Sequence, residues 1–306
     1  MRRSVPDVTD PVASLREVET AVQAALASGT DADLRILGYG EITLVIGWPT
    51  DHPVVACKRL PVFPSASVAD RYAERFEHHL TVLADRGVVP VPSALRVLRG
   101  PRRGERVGYV VQPVMPPGSL GPDVLRAADP DPDHPLLRAV CEVVPEVVDD
   151  RTGIDGQISN WALHEGVVQY LDVTTPMIFD EGGRIELDMG LFLAAYPWLL
   201  RRPIGRFIAP GVVGAYRDAR HVLLDMVANL RKERLDDWVP AAVTAANRVV
   251  GTSPGGPITA AEARRFYRSD ARLWEVMLRL RRADRWWQMR VRHRTYPFLL
   301  PGAIAR

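Results

Sequence analysis

Lysine is almost absent from this chain. Lysine and arginine together number 39 of the 306 residues, yet only Lys58 and Lys232 are lysines. The strong arginine bias, together with abundant alanine, valine, leucine, proline and glycine, indicates a GC-rich bacterial genome. Under such a bias no single arginine can be taken as selected for a task, whereas a retained lysine asks for an explanation.

Cysteine and long apolar runs are also scarce. Cys57 and Cys141 are isolated, which excludes a disulfide framework and a cysteine zinc site. No histidine cluster has the spacing of metal ligands. No apolar run approaches eighteen residues, and no apolar stretch follows the arginines at the N-terminus. We therefore expect a cytoplasmic protein without a signal peptide, a membrane span or a membrane partner.

What is present is ordinary for a globular protein: 47% of the residues are hydrophobic and 25% are charged. The length suits one large domain or two lobes, each with its own core. A net charge of +2 indicates no particular partner, but its distribution is uneven. Residues 264–294 contain eleven arginines and three acids.

The hydrophobic pattern changes from strands to helices along the chain. Residues 14–28 predict an amphipathic helix, and three β-like runs, a helix from about Ala66 to Asp85 and the run GYVVQPVM follow. Beyond Pro116-Pro117-Gly118 the pattern is mostly helical. This predicts an α+β, two-lobed protein. Residues 1–30 form a helical extension, 31–115 a small β-rich N-lobe and 116–306 a larger helical C-lobe.

Lys58 lies in an apolar, strand-like run. Alternate side chains of a strand share a face, so Ala56 would leave room beside the Lys58 ammonium. A compact charge on a flexible stem suits a pair of phosphate oxygens, and the wider arginine fork does not replace it there. The alternative is a strand-end lysine that extends into solvent, in the way that Lys232 is expected to lie on a helix surface.

Four short patterns occur in a meaningful order. Gly38 and Gly40 lie between two β-like runs, and Val55-Ala56-Cys57-Lys58 fits V-A-x-K. Further on, Asp155 and Asn160 have the spacing D-x-x-x-x-N, and Asp172 ends a short strand twelve residues later. Each pattern is weak alone: the aspartates and the asparagine could instead cap turns, and a G-x-G is often a hairpin turn.

Together these patterns, over residues 34–190, resemble the protein-kinase-like superfamily, most closely the branch of aminoglycoside phosphotransferases and choline kinases. The resemblance implies a two-lobed fold and MgATP-dependent phosphorylation of a hydroxyl of a small molecule. It also allows a pseudokinase that binds nucleotide in a regulatory role without turnover, or a nucleotidyl transferase on the same fold. The chain departs from the pattern at Thr43, in place of a third glycine, and at Gly153, in place of the loop histidine. No A-P-E triplet follows Asp172.

The resemblance implies a role for each matching residue. Lys58 would contact the α- and β-phosphates and would be held by Glu77 on the following helix, with Glu74 one turn away as the alternative. Asn160 and Asp172 would bind Mg²⁺, and Asp155 would accept the proton of the substrate hydroxyl. The remaining ATP contacts would come from the glycine loop, the lysine strand and the hinge: Gly38, Gly40, Ala56, Gln112, Pro113, Val114 and Met115.

The acceptor and the oligomeric state stay open. Acidic residues in the helical lobe could line an acceptor pocket, although most are expected to be solvated. The arginine-rich tail predicts a helix with one apolar face against the lobe and its arginines outside. That face comprises Phe266, Leu273, Trp274, Met277 and Leu280. The alternative, single-strand nucleic-acid binding through arginines and aromatics, is less favoured.

Overall fold

The computed structural model describes residues 11–39, 43–194 and 196–300. A β-sheet region comes first and a helical region follows, so the predicted mixed α+β fold class is confirmed. Helix α1 (Pro11–Ser28) precedes the sheet. Its buried residues are Leu15, Val18, Val22, Ala25 and Leu26, whose spacing of three and four residues is that of one face of the amphipathic helix predicted over residues 14–28.

The larger sheet has five antiparallel strands. They are β1 (Ile36–Tyr39), β2 (Leu44–Trp48), β3 (Val55–Arg59), β4 (Ala94–Arg99) and β5 (Arg106–Pro113), in the order β1-β2-β3-β5-β4. Helix α2 (Ala66–Asp85) connects β3 to β4. It begins at Ser65, whose Oγ accepts a hydrogen bond from Val68 N at 3.3 Å. In this order β3 is the middle strand, and it lies between β2 and β5.

The two faces of this sheet have different partners. Along β3, Val55, Cys57 and Arg59 are buried, while Ala56 and Lys58 are half-buried on the opposite face. The first face packs against α1, and Cys57 belongs to the same apolar cluster as the α1 side chains. The second face turns toward α2 and the helical region, which places Lys58 on the inner side of the molecule.

An ion pair fastens α1 to the outer face of the sheet. The Arg59 guanidinium donates to both carboxylate oxygens of Glu19, at 2.8 and 2.9 Å. Tyr109 Oη and Gln23 Nε2 donate to the same carboxylate. Burial raises the pKa of Glu19, but these hydrogen bonds and the Arg59 charge outweigh it, so the pKa is lowered overall. The carboxylate is fully partnered by the protein itself.

The helical region begins after β5. It contains α3 (Gly121–Arg126), α4 (Pro135–Val147), the hairpin β6 (Trp161–His164) and β7 (Val167–Tyr170), α5 (Met189–Leu193), α6 (Trp198–Pro203), α7 (Ala209–Ala215), α8 (Ala219–Asn229), α9 (Val239–Val250) and α10 (Ala260–Arg290). Short 3-10 turns span Ile158–Asn160 and Asp236–Trp238, and a π turn spans Ile204–Ile208. Helix α8 is buried from Val222 to Asn229 and packs against α4, α9 and α10. It is the centre of this region.

Helix α10 runs for 31 residues and contacts both regions. It packs against α8, and Arg285 Nη2 donates to Gly29 O at 2.8 Å, at the end of α1. The predicted inward face is partly wrong: Leu273 is 46% exposed and Leu280 is 36% exposed. The residues that α10 buries instead are Ala263, Leu278, Arg281 and Asp284. Leu273 and Leu280 lie seven residues apart and so share one side of the helix, and their exposure shows that this side is not the buried one.

Across the described residues, none of the helices has both the length and the apolar character that crossing a membrane requires.

Candidate active site

Lys58 points from β3 toward the segment that follows β7. Its Nζ donates to Leu171 O at 2.6 Å and lies 3.9 Å from Asp172 Oδ1. The lysine side chain is 12% exposed. Burial lowers the pKa of Lys58, and the negative charge of Asp172 offsets this only in part. The ammonium is thus a largely desolvated cation whose ion pair with Asp172 is long.

Asp172 is held by the residues around it. Thr174 Oγ1 donates to Asp172 Oδ1 at 2.7 Å. The carbonyl of Thr174 accepts a hydrogen bond of 2.8 Å from Tyr72 Oη, a buried group on α2. The Asp172 side chain remains 33% exposed. Helix α2 is therefore linked through Thr174 to a carboxylate that still has a face open to a ligand.

Asp155 and Asn160 lie in the loop that leads into β6. Asp155 Oδ1 accepts from Gln157 N at 3.0 Å, and the Asn160 side chain hydrogen-bonds the same carboxyl group. Burial raises the pKa of Asp155 to about 7, and the charges of Asp225 and Asp172 act in the same direction. Near neutral pH this carboxyl group can both take up and release a proton.

Asp225 is a site residue that the sequence analysis missed. It lies on α8 and is buried, and its Oδ2 accepts from Gln157 Nε2 at 3.0 Å. Asn229 Nδ2 donates to Asp225 Oδ1 at 2.8 Å. A signal was present: an acid inside the apolar run VLLDMV is costly to bury unless it has partners. Asp225 connects the loop of Asp155 to the centre of the helical region.

Gln112 ends the inner face of β5. It is 1% exposed, and its Nε2 donates at 2.9 Å both to Ser93 Oγ and to Leu171 O. The Leu171 carbonyl therefore accepts from both Gln112 and Lys58, which joins the sheet to the end of β7. The side chain of Gln112 serves this junction and does not face solvent.

The predicted hinge runs from Gln112 to Met115, and its last three residues are half-buried. Pro113 has no N–H, and Val114 N donates to Val54 O at 3.1 Å. Within the described residues, the N–H of Met115 has no backbone partner. Met115 is thus the hinge residue whose N–H could donate to an adenine edge.

Glu77 and Glu74 are not brought to Lys58. Both are exposed on α2, whose inward face comprises Ala69, Tyr72, Phe76, His79 and Leu83. This spacing of three and four residues turns Glu77, which is next to Phe76, away from the sheet. Among the described residues, the carboxylate that pairs with the lysine is that of Asp172.

His79 is a polar residue that this inward face buries. It is 1% exposed, and neither ring nitrogen has a hydrogen-bond partner in the described part of the chain. Burial lowers the pKa of His79 to about 4, and the charge of Asp172 offsets this only in part. The imidazole is neutral at pH 7, so it adds no positive charge beside Lys58.

The glycine loop is described only in part. Gly38 lies in β1 opposite Val45. Gly40 lies outside the described residues. Ala56 is opposite Gly47 and Gln112, on the same face of β3 as Lys58. Ala56 therefore contributes a small side chain next to the lysine, as the alternation of the strand predicts.

The surroundings of Gly153 explain why the loop has no histidine at this position. The residue is buried, and a Cβ built on it would lie 2.8 Å from the carbonyl oxygen of Tyr216, between α7 and α8. A contact that short is not tolerated against backbone, so a histidine would displace the chain that precedes α8. The loop keeps Asp155 and Asn160 in hydrogen-bond contact without it.

The donor atoms of this site suit magnesium. Asn160 and Asp172 offer amide and carboxylate oxygens, which are hard ligands. Among the described residues, no group of three or more His, Cys, Asp or Glu side chains could hold a metal ion. Mg²⁺ in nucleotide sites commonly takes one or two protein ligands, with waters and phosphates completing its octahedron. The two residues fit that arrangement.

The chain belongs to the family described as "Family of unknown function (DUF6206)", whose model matches residues 17–285. That range includes every site residue described above. No curated protein matches the chain. Among solved structures it is similar to one described as "WaaP in complex with acyl carrier protein", with 15% identity over 93% of this chain and 99% of that chain and a TM-score of 0.39. A likeness so distant establishes neither an activity nor a ligand.

Proposed function

We propose that this protein is a phosphotransferase that uses MgATP to phosphorylate a hydroxyl group of a small molecule. One observation carries the proposal. Lys58 contacts the backbone of a residue 113 positions further along the chain, and beside that residue Asp172, Asp155 and Asn160 converge. One cation, two carboxylates and an amide then face the junction between the sheet and the helical region.

Each of these residues has a place in phosphoryl transfer. Lys58 would hold phosphate oxygens of ATP, and Met115 would donate its N–H to the adenine. Asn160 and Asp172 would hold Mg²⁺, which would neutralise charge on the phosphate that is transferred. Asp155 would accept the proton of the attacking hydroxyl. These roles require positioned charges and no covalent intermediate.

The electrostatics of the site support these roles. Lys58 is desolvated and the Asp172 carboxylate oxygen is 3.9 Å away, so an anionic ligand would be strongly attracted. The pKa of Asp155 is raised to about 7, which suits a group that must accept a proton near neutral pH.

A second candidate is a protein that binds nucleotide without turnover. Two observations favour it: Glu77 does not pair with Lys58, and Gly153 stands where a histidine is expected. Both candidates predict nucleotide binding. They differ in whether the γ-phosphate appears on an acceptor, which a screen of hydroxyl-bearing metabolites with labelled ATP would reveal.

We also propose that the protein works in the cytoplasm. Cys57 and Cys141 are both buried free thiols, and burial raises the pKa of each to about 12. Such thiols are unreactive and suit a reducing compartment in which ATP and Mg²⁺ are plentiful.

The first experiment is a thermal-shift titration with ATP, with and without magnesium. A ligand that binds only the folded state stabilises it by about 2.7 kcal/mol at a hundredfold excess over Kd. We expect a magnesium-dependent shift in the wild type that Asp172→Asn abolishes and Lys58→Ala weakens. Lys232→Ala, which removes the other lysine, is the matched control and should behave as wild type. An unchanged melting temperature of the wild type at millimolar ATP would overturn the proposal.

A further inference from the structure

Large apolar side chains are exposed along one side of α10. Leu273, Val276, Leu280 and Trp287 are 46%, 52%, 36% and 47% exposed, and we call them the apolar strip. Their spacing of three, four and seven residues places them on one side of the helix, over about 21 Å. Trp286 is 61% exposed beside them. An exposed apolar surface of this kind is uncommon on a protein that acts alone.

The core of the protein does not account for the apolar strip. The buried side of α10 is formed by other residues, among them Ala263, Leu278 and Arg281, and it packs against α8 and α9. One apolar face is enough to pack a helix against a core, and α10 has a second apolar face. Within the described residues, nothing covers Trp286 or the strip.

A row of arginines runs beside the apolar strip. Arg265, Arg268, Arg272, Arg279 and Arg290 are all exposed, and their spacing also places them on one side of the helix; we call them the arginine row. The exposed acids of α10 are Asp270 and Glu275, and Glu275 is paired with Arg279. The exposed surface of α10 is therefore apolar along one line and strongly cationic along the next.

We propose that α10 docks on an anionic lipid bilayer surface. The apolar strip would enter the boundary between headgroups and acyl chains, and the arginine row would contact lipid phosphates. Trp286 and Trp287 suit this depth, where tryptophan is enriched. The proposal goes beyond the phosphotransferase function and does not depend on it. It departs from the expectation of no membrane partner, which considered only spanning and leader segments.

Charge and side-chain chemistry favour a bilayer over two other occupants. A second copy of the chain would bring another arginine row close to this one, with few acids on α10 to pair with either row. A single-stranded nucleic acid would use the arginines and tryptophans, but aliphatic Leu273, Val276 and Leu280 offer no surface for base stacking. A bilayer uses both lines of side chains at once.

The test is co-sedimentation of the full chain with phosphatidylcholine vesicles that contain or lack phosphatidylglycerol. We expect binding only to the anionic vesicles, with a blue shift of tryptophan fluorescence, and weaker binding as salt rises. The double variants Leu273→Ser/Val276→Ser and Arg268→Glu/Arg272→Glu should each weaken binding by about tenfold or more. Because all four positions are exposed, their melting temperatures should match the wild type.

Matched controls come from the sheet. Val97 on β4 is 41% exposed, and Arg103 is exposed in the turn before β5. Val97→Ser and Arg103→Glu should leave vesicle binding unchanged. Absence of binding to anionic vesicles would overturn the proposal. So would a dimer in analytical ultracentrifugation that Leu273→Ser/Val276→Ser dissolves, or salt-sensitive binding of a single-stranded oligonucleotide without vesicle binding.

Discussion

Lys58 and Arg59 are neighbours in one strand, yet their charges serve opposite faces of the sheet. Arg59, on the outer face, makes two hydrogen bonds to Glu19. Burial alone would lower its pKa, but Glu19 outweighs this and the pKa of Arg59 is raised. Lys58, on the inner face, bonds a carbonyl and lies 3.9 Å from Asp172, and burial lowers its pKa.

The two side chains differ in their ion pairing: Arg59 is closely paired with a carboxylate and Lys58 is not. The guanidinium of Arg59 and the carboxylate of Glu19 are hydrogen-bonded to each other, so the role of this pair is to hold α1 on the sheet. The ammonium of Lys58 is desolvated, its ion pair with Asp172 is long at 3.9 Å, and the proposed phosphate would add a closer anionic partner. Under the proposed function, phosphate binding would account for a lysine at position 58 in an arginine-rich chain.

The largest expected effect on stability comes from breaking the ion pair between Arg59 and Glu19. Glu19→Ala would leave Arg59 buried without its carboxylate, and we expect a loss of about 3–5 kcal/mol in the free energy of unfolding at pH 7. Urea denaturation measures it. Because the folded pKa of Glu19 is lowered, its contribution should disappear as the pH falls through that pKa.

Two variants serve as controls for this loss. Glu17→Ala, at an exposed position of α1, should change stability by less than about 0.5 kcal/mol. Lys58→Met should change the stability of the ligand-free protein by about 1 kcal/mol or less, because the ion pair that it removes is long, at 3.9 Å, and Asp172 stays 33% exposed. Equal losses for Glu19→Ala and Lys58→Met would contradict the comparison.

The next effect concerns Asp155 and its pH dependence. A carboxyl group with a folded pKa near 7 binds protons more tightly when folded, so it destabilises the protein as the pH rises from about 4 to 7. We expect Asp155→Asn to be more stable than wild type by about 2 kcal/mol at pH 8. This is less than the full raise in the pKa of Asp155 would give, because the Asp155 side chain is partly exposed. The two proteins should converge near pH 4, and thermal melts at both pH values test this.

The same substitution should remove phosphate transfer while ATP binding persists. Loss of a positioned general base reduces rates by about 10²–10⁴-fold. The activity of the wild type should rise with pH through about 7. A variant that is destabilised at pH 8 would show that the pKa of Asp155 is not raised in the folded protein. A variant that keeps full activity on an identified acceptor would show that Asp155 does not act as the base.

A smaller effect concerns the link from α2 to Asp172. Tyr72→Phe removes the hydrogen bond to Thr174 O, and we expect a loss of about 1 kcal/mol in stability. Thr174→Val removes the donor to Asp172, so a higher magnesium concentration should be needed for the ATP-dependent thermal shift. An unchanged magnesium midpoint in Thr174→Val would show that this hydroxyl does not position Asp172. Thr244→Val, at an exposed helix position, is the control.

The smallest expected effect is at Glu77. Because its side chain is exposed and distant from Lys58, Glu77→Ala should leave the ATP-dependent thermal shift unchanged, within about 0.5 kcal/mol of stability. A lost shift would show that α2 rotates when nucleotide binds and brings Glu77 to the lysine. Glu74→Ala provides the parallel measurement.

Much of the fold could be predicted because its pattern is local. The apolar face of α1 and the alternation around Lys58 follow from periodicities of 3.6 and 2 residues. The orientation of α2 could also have been predicted, since Tyr72, Phe76 and Leu83 define an apolar face that excludes Glu77.

Other features depend on contacts between distant segments. Asp225 is a site residue because α8 passes under the loop of Asp155, which no local pattern reveals. Leu273 and Leu280 satisfy a helical spacing, but which of two apolar strips on α10 meets the core depends on where α8 and α9 lie. The periodicity of a sequence shows which residues share a helix face, but it does not show which other element packs against that face.

The contact between Gly153 and Tyr216 has a consequence for how this loop can evolve. A single substitution cannot introduce a histidine at position 153, because the new Cβ would meet the backbone of the segment before α8. That segment would have to move in the same lineage, so the two regions are expected to vary together. A chain with this pairing would lack the histidine two residues before the loop aspartate, even where the counterparts of Lys58, Asn160 and Asp172 are retained.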